Sequence, residues 1–141
     1  MEHIVYCDAK AKELGRLLNG EKTMVIRGAA GRKLPHGRVF AGDTLYFIQN
    51  NGEGLLKAKG IVKSAFHSEK LTPEESFALI DGNNEKLRLT DAQYKRWAGK
   101  KYLCLIEVSG VQPIEPIRFT LLNNMDDWLA VEDIRTVTTP V

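Results

Sequence analysis

Cysteine is scarce in this chain of 141 residues: there are two, Cys7 and Cys104, far apart and each in an apolar surrounding. That excludes a disulfide framework and favours buried, reduced thiols. Histidine is nearly as sparse. His3, His36 and His67 are scattered, with no cysteine or histidine at zinc-ligand spacing, so the sequence offers no metal site and no cofactor is expected. No apolar run approaches the ~20 residues that span a bilayer, which points to a soluble protein without membrane contact. The opening stretch MEHIVYCDAK has neither a positive n-region nor a long apolar h-region, and the expected location is cytoplasmic. Repeats and low-complexity segments are absent too.

What is present suits a single domain over residues 1–141, with 43% apolar and 27% charged residues, large enough to bury a core without staples. The net charge is only +2, but it is unevenly distributed. From Lys10 to Arg38 there are eight Lys or Arg residues against two acids, so the remainder of the chain is net acidic. A concentrated positive field raises the local concentration of anionic ligands, and a polyanion or a phosphate is the partner this asymmetry suggests.

The basic region centres on Gly20 to Asp43, GEKTMVIRGAAGRKLPHGRVFAGD. Before it, His3 to Tyr6 reads as a short strand. Asp8 reads as the N-cap of a helix with an apolar stripe of Cys7, Ala11, Leu14 and Leu18, and with Glu13 among its polar positions. Gly20 ends that helix as a left-handed cap. Thr23 to Arg27 follows as a strand whose period of two places Met24 and Ile26 toward the core and Thr23, Val25 and Arg27 on the other face. Glycines 28, 31 and 37 with Pro35 then make a loop that displays Arg32, Lys33, His36 and Arg38. Its glycine spacing, and the lack of Ser or Thr after Lys33, exclude a Walker A loop.

Further on, Leu45 to Ile48 is a strand, and a long strand begins at Leu55 with Leu56, Ala58, Val62 and Phe66 on one face and Lys57, Lys59 and Lys63 on the other. Thr72-Pro73-Glu74-Glu75 and Thr90 with Gln93 are capping-box helix starts. Phe77 and Ile80 are expected to pack inward, Asp81 to Asn84 to break the first of these helices, and Gly99 to stop the second. Tyr102 to Val108 reads as an interior strand, and Val111 to Phe119, with two prolines, as an edge strand or irregular extension. Asp126, Asp127 and Trp128 precede a last short strand around Val131 to Ile134. Trp97 and Trp128 read as core anchors.

A helix ending in Gly20, then Lys22 and Arg27 in GEKTMVIR, then Gly42-Asp43 opening a β-rich half, resembles the ASCH family of the PUA-like superfold. The family signature near this point is G-x-K-x-x-E-x-R. This chain has Gly20, Lys22 and Arg27 at that spacing and Val25 where the family usually has glutamate. The resemblance implies an α+β fold, a small PUA-like β-barrel with peripheral helices, and a basic cleft between the first helix and the barrel that takes RNA or nucleotides. Some ASCH members are similar to small amidohydrolases that use a lysine and a threonine three residues later, together with a glutamate. Carried over here, the lysine is Lys22, but the threonine position falls on Val25, which is no nucleophile. Glu69, Glu74 and Glu75 are the carboxylates considered.

The expectation is therefore a module that binds RNA or a nucleotide-like anion through Lys22, Thr23, Arg27, Arg32 and Lys33, with catalysis left open as an alternative. In it Lys22 acts as a compact charge, Arg27 as a planar fork and Thr23 as a hydrogen-bonding group. Lys22, taken as exposed, should be replaceable without loss of stability. The alternatives are a hydrolase of RNA or nucleosides with Lys22 as catalytic group, and a protein-interaction module holding an acidic peptide.

Overall fold

Strand-forming stretches alternate with three short helices, and the computed structural model, which describes residues 1–121 and 126–141, pairs the strands into one sheet. In chain order the elements are β1 (Glu2–Cys7), α1 (Glu13–Leu18), β2 (Met24–Ala29), β3 (Thr44–Gln49), β4 (Leu55–His67), α2 (Pro73–Leu87), α3 (Asp91–Trp97), β5 (Tyr102–Phe119), β6 (Trp128–Val131) and β7 (Thr138–Pro140). A 3-10 turn, Ile134–Val137, stands before β7. Residues 123–125 of the expected closing region lie outside the described residues. The strand order is β2-β5-β4-β3-β1-β6, with β7 on β5, and β1 runs parallel to β3 while the other pairs are antiparallel. This curled mixed sheet forms a half-barrel with three helices, the α+β architecture that the sequence leads one to expect.

The period of two in β2 serves two interiors. Met24 and Ile26 pack with Ile80, Leu87, Trp97 and Leu103 between the sheet and the helices. Val25 points the other way, into the barrel with Val5, Phe47, Ala58 and Ile106. All of Met24, Val25, Ile26 and Arg27 are buried. Gly28 follows where the chain passes closest to its neighbour, since a Cβ there would lie 2.8 Å from Leu103 Cδ2.

Tertiary packing changes several local expectations. The first helix begins only at Glu13, after a turn in which Asp8 Oδ1 accepts from Ala11 N at 3.1 Å and Lys12 takes a left-handed φ of 55°. Leu17 is thereby turned inward and Leu18 left exposed. Helix α2 runs straight through Asp81 to Asn84, because Leu87 beyond them is fully buried and anchors the last turn; contacts of this kind override weak local propensity. Phe77 lies 42% exposed. Register shifts along β4, including one between Val62 and Ser64, reverse the inside-outside alternation, so Ala65 packs inward and Phe66 is 50% exposed. Val111 to Phe119 is the continuation of β5, one strand of 18 residues that pairs with β4 and then β7. The strand expected around Val131 to Ile134 comes earlier, as β6 from Trp128, and Ile134 instead opens the 3-10 turn before β7.

Both capping boxes form as the sequence suggests, at Thr72 with Glu75 and at Thr90 with Gln93. Gly20, at φ 84°, and Gly99, at φ 89°, close their elements with the positive φ that glycine accepts freely. Trp128 is 1% exposed and its Nε1–H donates to His3 Nδ1 at 3.0 Å. Because Nδ1 accepts, the proton of His3 sits on Nε2, 2.9 Å from Asp43 Oδ2.

Candidate anion-binding cleft

β2 and β6 are the two ends of the strand order, and Arg27 of β2 bridges the seam between them to Asp127 and Trp128 at the start of β6. Its Nη1 donates to the Ile26 carbonyl at 2.8 Å, and its Nη2 donates to the carbonyl of Tyr6 at 2.6 Å and to that of Asp127 at 3.4 Å. Nε lies 3.1 Å from Asp127 Oδ2 but off the line of a hydrogen bond, so that contact is Coulombic. The indoles of Trp97 and Trp128 bracket the guanidinium at 5.8 and 5.5 Å. At 7% exposure, Arg27 is the floor of a cleft and not a free fork.

On one side of Arg27 lies a hollow of about 230 Å³, to which Arg27, Lys33, Arg96 and Lys100 contribute four cations and Asp127 one carboxylate. On the other side a hollow of about 210 Å³ is lined by Asp8, Glu13, Asp126 and Asp127 along with Arg27 and Arg96. Arg27, Arg96, Trp97 and Asp127 border both. The cleft thus has a basic lobe and an acidic lobe with a common wall. Helix α3 supplies Arg96 from its last turn, its guanidinium stacked 4.4 Å from the Trp97 ring centre. In the basic lobe His36 Nε2 donates to the Ser68 carbonyl at 2.8 Å, which leaves Nδ1 as an acceptor. Cys104 also lines it, but burial pushes its thiol up to about 12, so it offers no thiolate near neutral pH.

The residues singled out in the sequence are dispersed around this cleft. Arg27 and Lys33 line the basic lobe. Arg32 points elsewhere, 61% exposed, 3.2 Å from Glu69 and over the Tyr102 ring. Thr23 borders a separate hollow beside α2 with Gly82 and Lys86. Lys22 is 2% exposed, contrary to the expectation of an exposed charge: its Nζ lies 3.3 Å from Glu13 Oε2 and donates to the Leu87 carbonyl. Burial lowers the pKa of this amine from its ordinary value, and the Glu13 carboxylate opposes that shift. Glu13, also expected to be solvated, is 6% exposed and accepts from Asp8 N at 3.1 Å and Gln93 Nε2 at 3.2 Å. The ion pair exists because α1 and the start of β2 fold back on each other and close over both charges. Val25 is fully buried in the barrel, Glu75 is committed to its capping box, and neither Glu69 nor Glu74 lines either lobe.

Arg96 and Lys100 do not stand out in the sequence, although a Trp flanked by both at a helix end is a signal of a sort; Trp97, expected as a core anchor, packs in the core between sheet and helices and also borders the cleft. Among the described residues no group of three or more His, Cys, Asp or Glu side chains is arranged to hold a metal ion, and no helix is long and apolar enough to cross a membrane.

No family model and no curated protein sequence matches this chain. Solved structures do. ASCH from Zymomonas mobilis matches with a TM-score of 0.67 at 12% identity, over 99% of this chain and 96% of that one. Two mutant proteins of the same ASCH protein match with a TM-score of 0.68 at 12% and 13% identity, each over 96% of this chain and over 91% and 93% of theirs. At such identity the likeness is one of fold, and the fold of this chain is ASCH-like across nearly its whole length.

Proposed function

We propose that this chain binds RNA or a nucleotide-like anion in the basic lobe of the seam cleft. The observation that carries the reading is the convergence of Lys33, Arg96 and Lys100, from a loop, a helix end and the turn after it, around a hollow floored by buried Arg27. Fixed cations on low-dielectric walls focus a field that attracts phosphate. Arg96 would supply planar hydrogen bonding and the lysines point charges. Of the residues first considered, Lys33 would touch the ligand, Arg27 would fix the floor, and Lys22 would act only through Glu13. The hydrolase alternative gains no support from Lys22, which lines neither lobe and whose amine is taken up by Glu13 and the Leu87 carbonyl.

The test is titration of a short single-stranded RNA at several salt concentrations. Each lost phosphate contact should reduce the slope of log affinity against log salt by about 0.7. An Arg96→Gln/Lys100→Gln double variant is expected to bind more weakly with a shallower slope, while Lys57→Ala and Lys59→Ala on the sheet face leave both unchanged. Equal affinity and slope in the wild type and the cleft double variant would dispose of the reading.

A further inference from the structure

Three of the cleft's cations already face anions, and those anions are consecutive residues. Lys33 Nζ lies 3.8 Å from Asp126 Oδ1, and Arg96 Nη2 lies 3.3 Å from Asp127 Oδ2, the oxygen that also faces Arg27 Nε at 3.1 Å. A loop, a helix and a strand thus direct positive charge onto one dipeptide. Lys100, in the same lobe, has no ion-pair partner among the described residues.

The backbone of Asp127 is fixed from two sides. Tyr6 N donates to the Asp127 carbonyl at 3.1 Å, and Arg27 Nη2 reaches the same oxygen, whereas the side chains of Asp126 and Asp127 are 55% and 29% exposed. The exposed Lys33–Asp126 pair holds weakly, whereas the Asp127 carboxylate faces the buried Arg27 guanidinium as well as Arg96. A phosphate that takes the place of a carboxylate keeps the cation paired, and the Asp127 backbone does not have to move for it.

We infer that Asp126 and Asp127 occupy the positions of two successive anionic groups of the ligand, and that the cleft therefore selects ligands bearing at least two linked phosphates. This rests on the anion-binding reading above. A lone phosphate exchanges one ion pair for another of the same kind and gains little. Once the first of two linked phosphates is bound, the second competes for its cation at the high effective concentration that the linkage imposes. Entry of such a ligand displaces both carboxylates toward solvent and engages Lys100 as well.

Calorimetric titrations with orthophosphate, pyrophosphate and a short single-stranded RNA test this. Wild type should bind pyrophosphate, the RNA or both at least about tenfold more tightly than orthophosphate. Pyrophosphate alone would mark a small diphosphate ligand, and binding of the RNA would mark a nucleic-acid backbone. Asp126→Asn should strengthen orthophosphate binding several-fold, and the gain should vanish in a Lys33→Gln background, because removal of a competitor matters only where its cation remains. Lys33 and Asp126 are both more than half exposed, so these variants should fold even if Asp127→Asn, which touches buried Arg27, does not. Wild-type affinity for pyrophosphate and for the RNA that is no greater than for orthophosphate overturns the inference, as does a gain from Asp126→Asn that persists without Lys33. If the RNA or pyrophosphate binds and only these two signatures fail, anion binding stands alone; if no anion binds to wild type or to any variant, both readings fall.

Discussion

Lys22 and Arg27 carry the same charge as Lys33, Arg96 and Lys100, yet the first pair directs it inward and the second set outward. Lys22 answers a buried carboxylate and a backbone carbonyl, and Arg27 answers three carbonyls at the seam. Lys33, Arg96 and Lys100 border open space. Positive charge written close together in a sequence is therefore not one electrostatic feature. Part of it is neutralised to build the site, and only the remainder is available to a ligand.

Removing an inward charge should do the most damage. Lys22→Ala leaves Glu13 buried without its cation, and chemical denaturation is expected to show a loss of about 3–5 kcal/mol. A loss near zero would mean that Lys22 belongs with the outward set. A smaller loss is expected where the inward network is neutral: Trp128→Phe removes the donor to His3 Nδ1 and leaves a buried acceptor unmatched, at a cost of about 1–3 kcal/mol. The pH dependence is gentler still. Burial lowers the pKa of His3, with Asp43 opposing, so the folded state binds fewer protons there than the unfolded state. Stability should thus fall as pH drops below about 6.5, the unfolded value, with a slope of at most about 1.4 kcal/mol per pH unit. Partial burial of Asp43 raises its pKa, yet hydrogen bonds from His3, Phe40 N and the N-terminus outweigh that and hold it below the ordinary value, which adds a second loss at more acidic pH. Thermal melts of wild type and His3→Gln between pH 7 and 5 should diverge if this is right, and parallel curves would refute it. Glu69→Ala, which frees the outward Arg32, should leave the melting temperature unchanged, and a clear drop would show that this exposed pair is structural.

The elements legible in the sequence are those fixed by neighbours along the chain. The capping boxes at Thr72 and Thr90, the Gly20 stop and the alternation of Met24, Val25 and Ile26 depend on spacings of a few residues, and the structure contains each. The continuation of α2 past Gly82 depends on the burial of Leu87, and the exposure of Phe66 on register shifts against β5; neither is visible without the partner elements. The site was legible in outline only. Arg27 and Lys33 stand out as basic residues on a strand and a glycine-rich loop. Arg96 and Lys100 look like ordinary solvated charges at the end of a helix until the fold brings them to the seam. Lys22 looks exposed in the sequence because Glu13, nine positions earlier, becomes its partner only when the chain doubles back.

The two-sided burial of β2 resembles a parity check. Even-numbered residues Met24 and Ile26 belong to one interior and odd-numbered Val25 to another, so a slip of one position would misplace every side chain at once and send Arg27 among the helices. A strand with one wet face tolerates partial misreading, whereas here each interior independently rejects the shifted pairing. The alignment that delivers Arg27 to the seam is thus encoded redundantly, and the precision of the cleft is inherited from hydrophobic residues that never touch it.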